Sequence, residues 1–310
     1  MTEANKAIGL MGTRIHLYFK GDQAEKWLAV ACDMLKHYEH VFSANSELSQ
    51  LSALKITAAK EPVVVDPDLY ELIKTGRDHS LEPNSFLNIA IGPLVKLWRI
   101  GFAEASVPSQ HEIHRVLTRL DPADIILDDE QKSVFFAKEG LEIDLGAIAK
   151  GYFSDKIMDF FKEKDPVSAM IDIGGNVLVY GESPKKSPYW DVGIQNPFLP
   201  RGHCVAKIKV RNQSVVTSGI YERTFEHEGN KYHHIFDSRS GYPVENNIAS
   251  LTIISDKSID CDVYTTKLFG LDAKTILQTV NKIEGMDAIV ITVDGQLATT
   301  SNLREKITLV

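Results

Sequence analysis

The chain has 310 residues, 44% of them apolar and 25% charged, which is the composition of an ordinary globular protein with room for a sizeable core. A formal net charge of −8 argues against nucleic acid as a partner, since that would require a basic face. The three cysteines, Cys32, Cys204 and Cys261, have no CxxC spacing and an odd count, a poor disulfide framework, so they read as buried or half-buried thiols.

No run approaches the roughly 20 apolar residues of a membrane span. The N-terminus lacks the basic segment and long apolar core of a secretion signal. The sequence as it stands therefore reads as cytoplasmic, with an extracytoplasmic setting following only if a signal has been removed. Residues 8–19 alternate after Gly12, with Ile15, Leu17 and Phe19 on one face, and predict a strand. Asp22 is placed to cap the helix that follows, where Trp27, Ala31, Met34, Leu35 and Tyr38 recur at helical spacing. Ser46 reads as the cap of a short helical turn. Residues 61–65 predict a strand, and Asp66-Pro67 opens a second amphipathic helix.

Residues 87–102 form an apolar segment broken by Gly92-Pro93, followed by Leu94. The break fits either backbone held close to a ligand or a buried loop-to-helix junction. A surface helix at 109–120 and a hairpin at 124–127 and 133–137 follow. Residues 141–163 start as a strand, turn at Gly146 and become a helix from Ala147. The turn Asp144-Leu145-Gly146-Ala147-Ile148-Ala149-Lys150-Gly151 offers amides, a helix N-terminus and a lysine, all suited to a phosphate. It can equally be a simple capping turn.

Next, Gly174-Gly175 lies inside a β pattern, where a ligand or another strand approaches closely. More strands are expected at 190–194, 204–210, 214–217, 231–236 and 249–254, with a last pair at 287–293 and 296–299. Thr217-Ser218-Gly219 with Arg223 can line an anionic site or form a polar turn. His234-Ile235-Phe236-Asp237 sets an imidazole and a carboxylate three apart. Asp262, read first as the N-cap of the last helical region, is four residues from Thr266, so on a helix the two face the same way. One carboxylate and one hydroxyl suit a hard cation such as Mg2+, and no spacing here suits zinc. Asp294-Gly295 predicts a hairpin turn ahead of Thr299-Thr300. The mixed order of elements, rich in antiparallel pairs and without repeats or a free linker, gives an α+β fold in one domain over 1–310.

Taken together, these segments resemble the ApbE-type FAD:protein FMN transferases. The matches stand in family order: Met11-Gly12-Thr13, Phe42-Ser43 with Ser46 to Ser49, Gly92-Pro93-Leu94 with Trp98, Asp144 to Tyr152, Gly174-Gly175-Asn176, Thr217-Ser218-Gly219, His234 to Asp237 with Gly241-Tyr242-Pro243, and Asp262 with Thr266. The chain departs from the family pattern at Ala90, Ser238 and Ser240. The resemblance implies an ApbE-like, T-fold-related architecture of largely antiparallel sheets packed with helices, its active site in a cleft between two closely packed lobes. It implies transfer of FMN from FAD to a threonine or serine of an acceptor flavoprotein, with Mg2+ and release of AMP. Asp262, Thr266 and the carbonyl of Ala147 would be metal ligands, with Thr265 adjacent. Met11, Gly92, Pro93, Leu94, Asp144, Lys150 and Ile235 would contact FAD, joined by Gly175, Thr217 and Ser218 on the grounds above. His234 or Asp237 would take the acceptor proton. Two other readings use the same site: an FAD pyrophosphatase with water as acceptor, and a non-enzymatic FAD-binding or storage protein.

Overall fold

The computed structural model describes residues 2–44 and 46–310. Its centre is an eight-stranded sheet whose strands lie side by side in chain order. They are Thr2–Leu10, Thr13–Gly21, Ser168–Ile173, Asn176–Gly181, Ser214–Gly219, Ile248–Ser255, Asp287–Thr292 and Leu297–Thr299. Every neighbouring pair is antiparallel. The long connections between them build the rest of the molecule.

Both faces of this sheet are covered, which explains why Ile248–Ser255 and Asp287–Thr292 are buried along their whole length. Side chains of a strand alternate between faces. Thus Leu17 and Phe19 join one core cluster while Tyr18, between them, joins another. Val215 and Val216, and likewise Ile254 and Ile253, divide between opposite faces. The helices Ala24–Phe42, Ala149–Lys162, Ser258–Lys267 and Ala273–Val280 pack on the first face. The second face carries a three-stranded sheet of Trp190–Gln195, Cys204–Val210 and Ile307–Leu309. The insertion between Gly21 and Ser168 holds further helices and a small sheet of Val63–Val64, Ile125–Asp128 and Ser133–Phe136.

The α+β architecture with antiparallel sheets is as expected. Three local expectations are corrected. Residues 8–19 are not one strand but part of a hairpin, Thr2–Leu10 with Thr13–Gly21, whose first arm is an exposed edge strand. Ser49, rather than Ser46, caps the helix Gln50–Thr57, its hydroxyl accepting from Ser52 N. Asp262 is no N-cap, because its helix begins four residues earlier at Ser258. Among the described residues no helix is long and apolar enough to cross a membrane.

Candidate active site

The site is built where two helices meet on one face of the main sheet. Asp144 shapes the turn ahead of the first helix, its Oδ1 accepting from Gly146 N at 2.7 Å. The chain then enters Ala149–Lys162 with no side-chain cap at Ile148. Three residues in, Gly151 N–H donates to Asp262 Oδ2 at 2.6 Å, so one amide left unpaired at this helix start is satisfied from the other helix. Only glycine permits this approach. A Cβ at position 151 would stand 2.4 Å from Ser258 O.

Asp262 is 2% exposed and makes no ion pair among the described residues. Its Oδ1 accepts from Asn176 Nδ2 at 3.3 Å. Asn176 is held in turn by the hydroxyls of Ser258 (2.7 Å) and Ser154 (3.2 Å), and Ser214 donates to Ser258 Oγ at 2.8 Å. Burial raises the Asp262 carboxyl above the usual range, while the Lys150 ammonium, the Gly151 amide and Asn176 pull it back. Thr265 and Thr266 both turn their hydroxyl protons to the Asp262 carbonyl, at 3.0 and 3.1 Å, which leaves their oxygen lone pairs as ligands. A buried carboxylate and two hydroxyl oxygens carried on successive turns of one helix are oxygen donors of the type that a hard divalent cation takes. Ala147 lies in the exposed turn just ahead of the first helix.

The other wall carries His234. It is half-buried, its Nδ1 3.4 Å from Arg223 O. Burial first, then the charges of Arg223, His233 and Lys150, lowers its pKa to about 4, so it is neutral at pH 7. Lys150 is the one charge that acts on both His234 and Asp262 among the causes of their shifts. Asp237 is engaged by Arg239, with Nε to Oδ1 at 2.8 Å and Nη2 to Oδ2 at 3.2 Å. The Arg239 guanidinium lies over the Phe86 ring, 4.2 Å from its centroid. Ile235 is buried among Val216, Leu251 and Phe269, and its carbonyl accepts from Val244 N. Trp98 fastens this wall to the Gly92–Trp98 helix, its Nε1–H donating to Gly241 O at 2.9 Å.

Of the two readings of Gly92-Pro93, the structure supports the junction. Gly92, Pro93 and Leu94 are buried at a helix start, and a Cβ on Gly92 would lie 2.7 Å from Glu142 O. Gly92 and Asp144 nevertheless line one cleft with Ser52, Lys96 and Glu142. At the sheet end, Met11-Gly12 and Gly174-Gly175 form two-residue hairpin turns, all four with positive φ. They are neighbours, since a Cβ on Gly174 would touch Thr13 Oγ1. Met11 N donates to Glu39 Oε1 at 2.6 Å, and Gly175 N to Asp172 Oδ1 at 2.8 Å. Ser218 shares the face of Val216 by strand alternation, the same face as Asp262, whereas Thr217 turns to the other face and bonds Thr252 Oγ1 at 2.8 Å. Cys261 is an inert core thiol, pushed up by burial. Sequence reasoning named Asn176 only within the Gly174-Gly175-Asn176 segment, with no role of its own, and did not single out Ser258 or Asp155. The only local signal was the Gly151-to-Asp155 spacing of four on one helix face.

Comparison with known proteins gives the family and the fold. Residues 11–290 match the ApbE family. A curated relative from Klebsiella pneumoniae, named FAD:protein FMN transferase, is 40% identical, with 87% of this chain and 84% of the relative aligned. A Treponema pallidum protein of the same name is 34% identical, with 98% of this chain and 89% of that one aligned. Among solved structures, the ApbE protein of Thermotoga maritima superposes with a TM-score of 0.88 at 26% identity, covering 98% of this chain and 99% of the other. The Pseudomonas stutzeri flavinyl transferase ApbE shares the fold, with a TM-score of 0.84 at 23% identity over 98% and 96% of the two chains. The chain is thus an enzyme of the transferase class. It belongs to the ApbE family.

Proposed function

We propose that this chain transfers FMN from FAD to a threonine or serine hydroxyl of an acceptor protein through a phosphoester, in a Mg2+-dependent reaction that releases AMP. Its relatives carry the name of that transfer. The observation that carries the reading is the buried Asp262 carboxylate, with no ion pair among the described residues, held by the Gly151 amide and Asn176 at the start of the helix that follows the Asp144–Gly151 turn.

On this reading the whole chain, 1–310, acts as one domain around the cleft. The pyrophosphate of FAD is received by Lys150 and the amides of the turn before Ala149–Lys162, at the positive end of that helix. Asp262, Thr265, Thr266 and the Ala147 carbonyl are the groups that would hold Mg2+. Bound there, the ion supplies positive charge against the charge that develops on departing AMP. The acceptor hydroxyl oxygen bonds to the FMN-side phosphorus as the bond from that phosphorus to the AMP oxygen breaks. His234, neutral at pH 7, takes the hydroxyl proton. Asp237, tied to Arg239, keeps the following turn in shape. Met11, Gly175, Ser218 and the Gly92–Leu94 junction supply walls of the flavin and ribityl side, with Thr217 and Ile235 bracing them.

The test is incubation with FAD and Mg2+, with and without candidate acceptors, reading AMP release and the intact mass of the acceptor. AMP together with one FMN added to the acceptor is the expected result. AMP without a mass gain would make water the acceptor, and bound FAD with no AMP would make the chain a flavin carrier.

A further inference from the structure

We propose that Asp155 is a positioning residue for the Asp262 carboxylate, acting through the first turn of the helix Ser258–Lys267. The inference rests on reading Asp262 as a reaction-site group. The first turn of that helix has amides that need acceptors, and its own N-cap, Lys257, makes no side-chain bond to them. Asp155 reaches across from the neighbouring helix instead. Its Oδ1 accepts from Ser258 N and its Oδ2 from Ile259 N, both at 2.9 Å. A carboxylate at the positive end of a helix is well placed.

The favour is returned. Asp262 Oδ2 accepts from Gly151 N, in the first turn of the helix that carries Asp155. Each helix therefore satisfies a starting amide of the other with an aspartate. Gly151 and Asp155 are four apart, as are Ser258 and Asp262, so both donors and both carboxylates lie on the facing surfaces. With Gly151 against the Ser258 carbonyl, no side chain separates the helices there.

Ser258 adds a second link. Its backbone is held by Asp155, and its hydroxyl holds Asn176 Oδ1 at 2.7 Å. Asn176 in turn donates to Asp262 Oδ1. One hydrogen bond on the Asp262 carboxylate, from Asn176, is thus linked through Ser258 to the turn that Asp155 anchors, and the other comes from Gly151 on Asp155's own helix, although the Asp155 side chain bonds neither donor nor Asp262.

A cap that merely stabilised its helix would protect Ser258 and Ile259 and nothing else. Positioning predicts more. In Asp155→Ala, amide hydrogen exchange at Gly151, whose N–H bonds Asp262 and not the Asp155 side chain, should quicken by about tenfold, the size expected from losing one helix cap. Amides of the strand Ile248–Ser255 should keep their wild-type protection. In the same variant, Mn2+ titrated into the flavin-free protein and followed by electron paramagnetic resonance should bind about tenfold more weakly. Asp155→Asn, which keeps one acceptor, should fall between wild type and Asp155→Ala, and it carries the comparison if the alanine variant does not fold. Quicker exchange at Ser258 and Ile259 with Gly151 unchanged would overturn the proposal. If wild type neither binds Mn2+ nor transfers FMN, the functional reading fails, while the Gly151 comparison still decides whether Asp155 positions Asp262.

Discussion

Gly151→Ala sets two effects against each other, and the structure decides between them. On an open helix the exchange stabilises by about 1 kcal/mol, because alanine is the better helix former. Here the new Cβ would stand 2.4 Å from Ser258 O, 2.6 Å from Ser258 C and 2.8 Å from Ile259 Cα. These are backbone atoms of a packed helix and cannot swing aside. Overpacking of this kind costs about 1–3 kcal/mol. Pushing the helices apart also strains the 2.6 Å bond from Gly151 N to Asp262 Oδ2, and a bond to a charged group is worth about 1.5–3 kcal/mol. The balance is a loss of roughly 3 kcal/mol. For 310 residues the unfolding entropy is about 0.65 kcal/mol/K, so Tm should fall by about 5 °C in calorimetry at pH 7. Displacing Asp262 should slow FMN transfer by about 10²-fold. An unchanged or higher Tm would show that the helices are not held at the distance described, and would refute the reasoning.

Asp262→Asn should cost both activity and stability. Transfer should drop by about 10²- to 10³-fold, and Tm without metal should fall modestly, because the amide keeps one acceptor oxygen and turns an NH2 toward either Gly151 N or Asn176 Nδ2; retained Mg2+-dependent transfer would remove Asp262 from the reaction. His234→Asn should slow transfer by about 10²- to 10⁴-fold. Because the folded imidazole titrates near 4 and the unfolded one near 6.5, the wild-type rate should climb through about pH 4. The same difference means that the unfolded chain binds the extra proton between about pH 4 and 6.5, so wild-type stability relative to the variant rises with pH across that window and is level above it. A rate inflection near pH 6.5 that vanishes in the variant would contradict the burial of His234. Trp98→Phe strands the buried Gly241 carbonyl, which should cost about 1–3 kcal/mol and raise the KM for FAD with kcat nearly unchanged; an unaltered KM would uncouple the Gly92–Trp98 helix from the flavin side.

Much of this site could be read from the chain because its parts are local. The turn from Asp144 to Gly151 shows its glycine, its lysine and the start of a 3.6-residue period within a few residues. Asp262 and Thr266 show their shared helical face by spacing alone. Other features have no local signal. Asp262 looked like a cap because the acceptor that starts its helix, Asp155, lies more than 100 residues earlier. The edge strand Thr2–Leu10 carries no apolar alternation, since most of it is exposed, and it is a strand only through its ladder to Thr13–Gly21. Gly92 and Gly151 look alike in sequence as breaks or turns, yet each is glycine because a distant backbone, Glu142 or Ser258, passes against it. The different facing of Thr217 and Ser218 follows from register in the sheet, which depends on partners that spacing does not name.

The central claim is that a hydroxyl attacks the FMN-side phosphorus and keeps the flavin through a phosphoester. Its most direct test is fragmentation mass spectrometry of an acceptor protein after incubation with FAD, Mg2+ and the enzyme. The account predicts intact FMN on a threonine or serine oxygen, absent from the parallel sample made with Asp262→Asn. Flavin attached through its ring to cysteine or histidine, or equal labelling by the two enzymes, would contradict it.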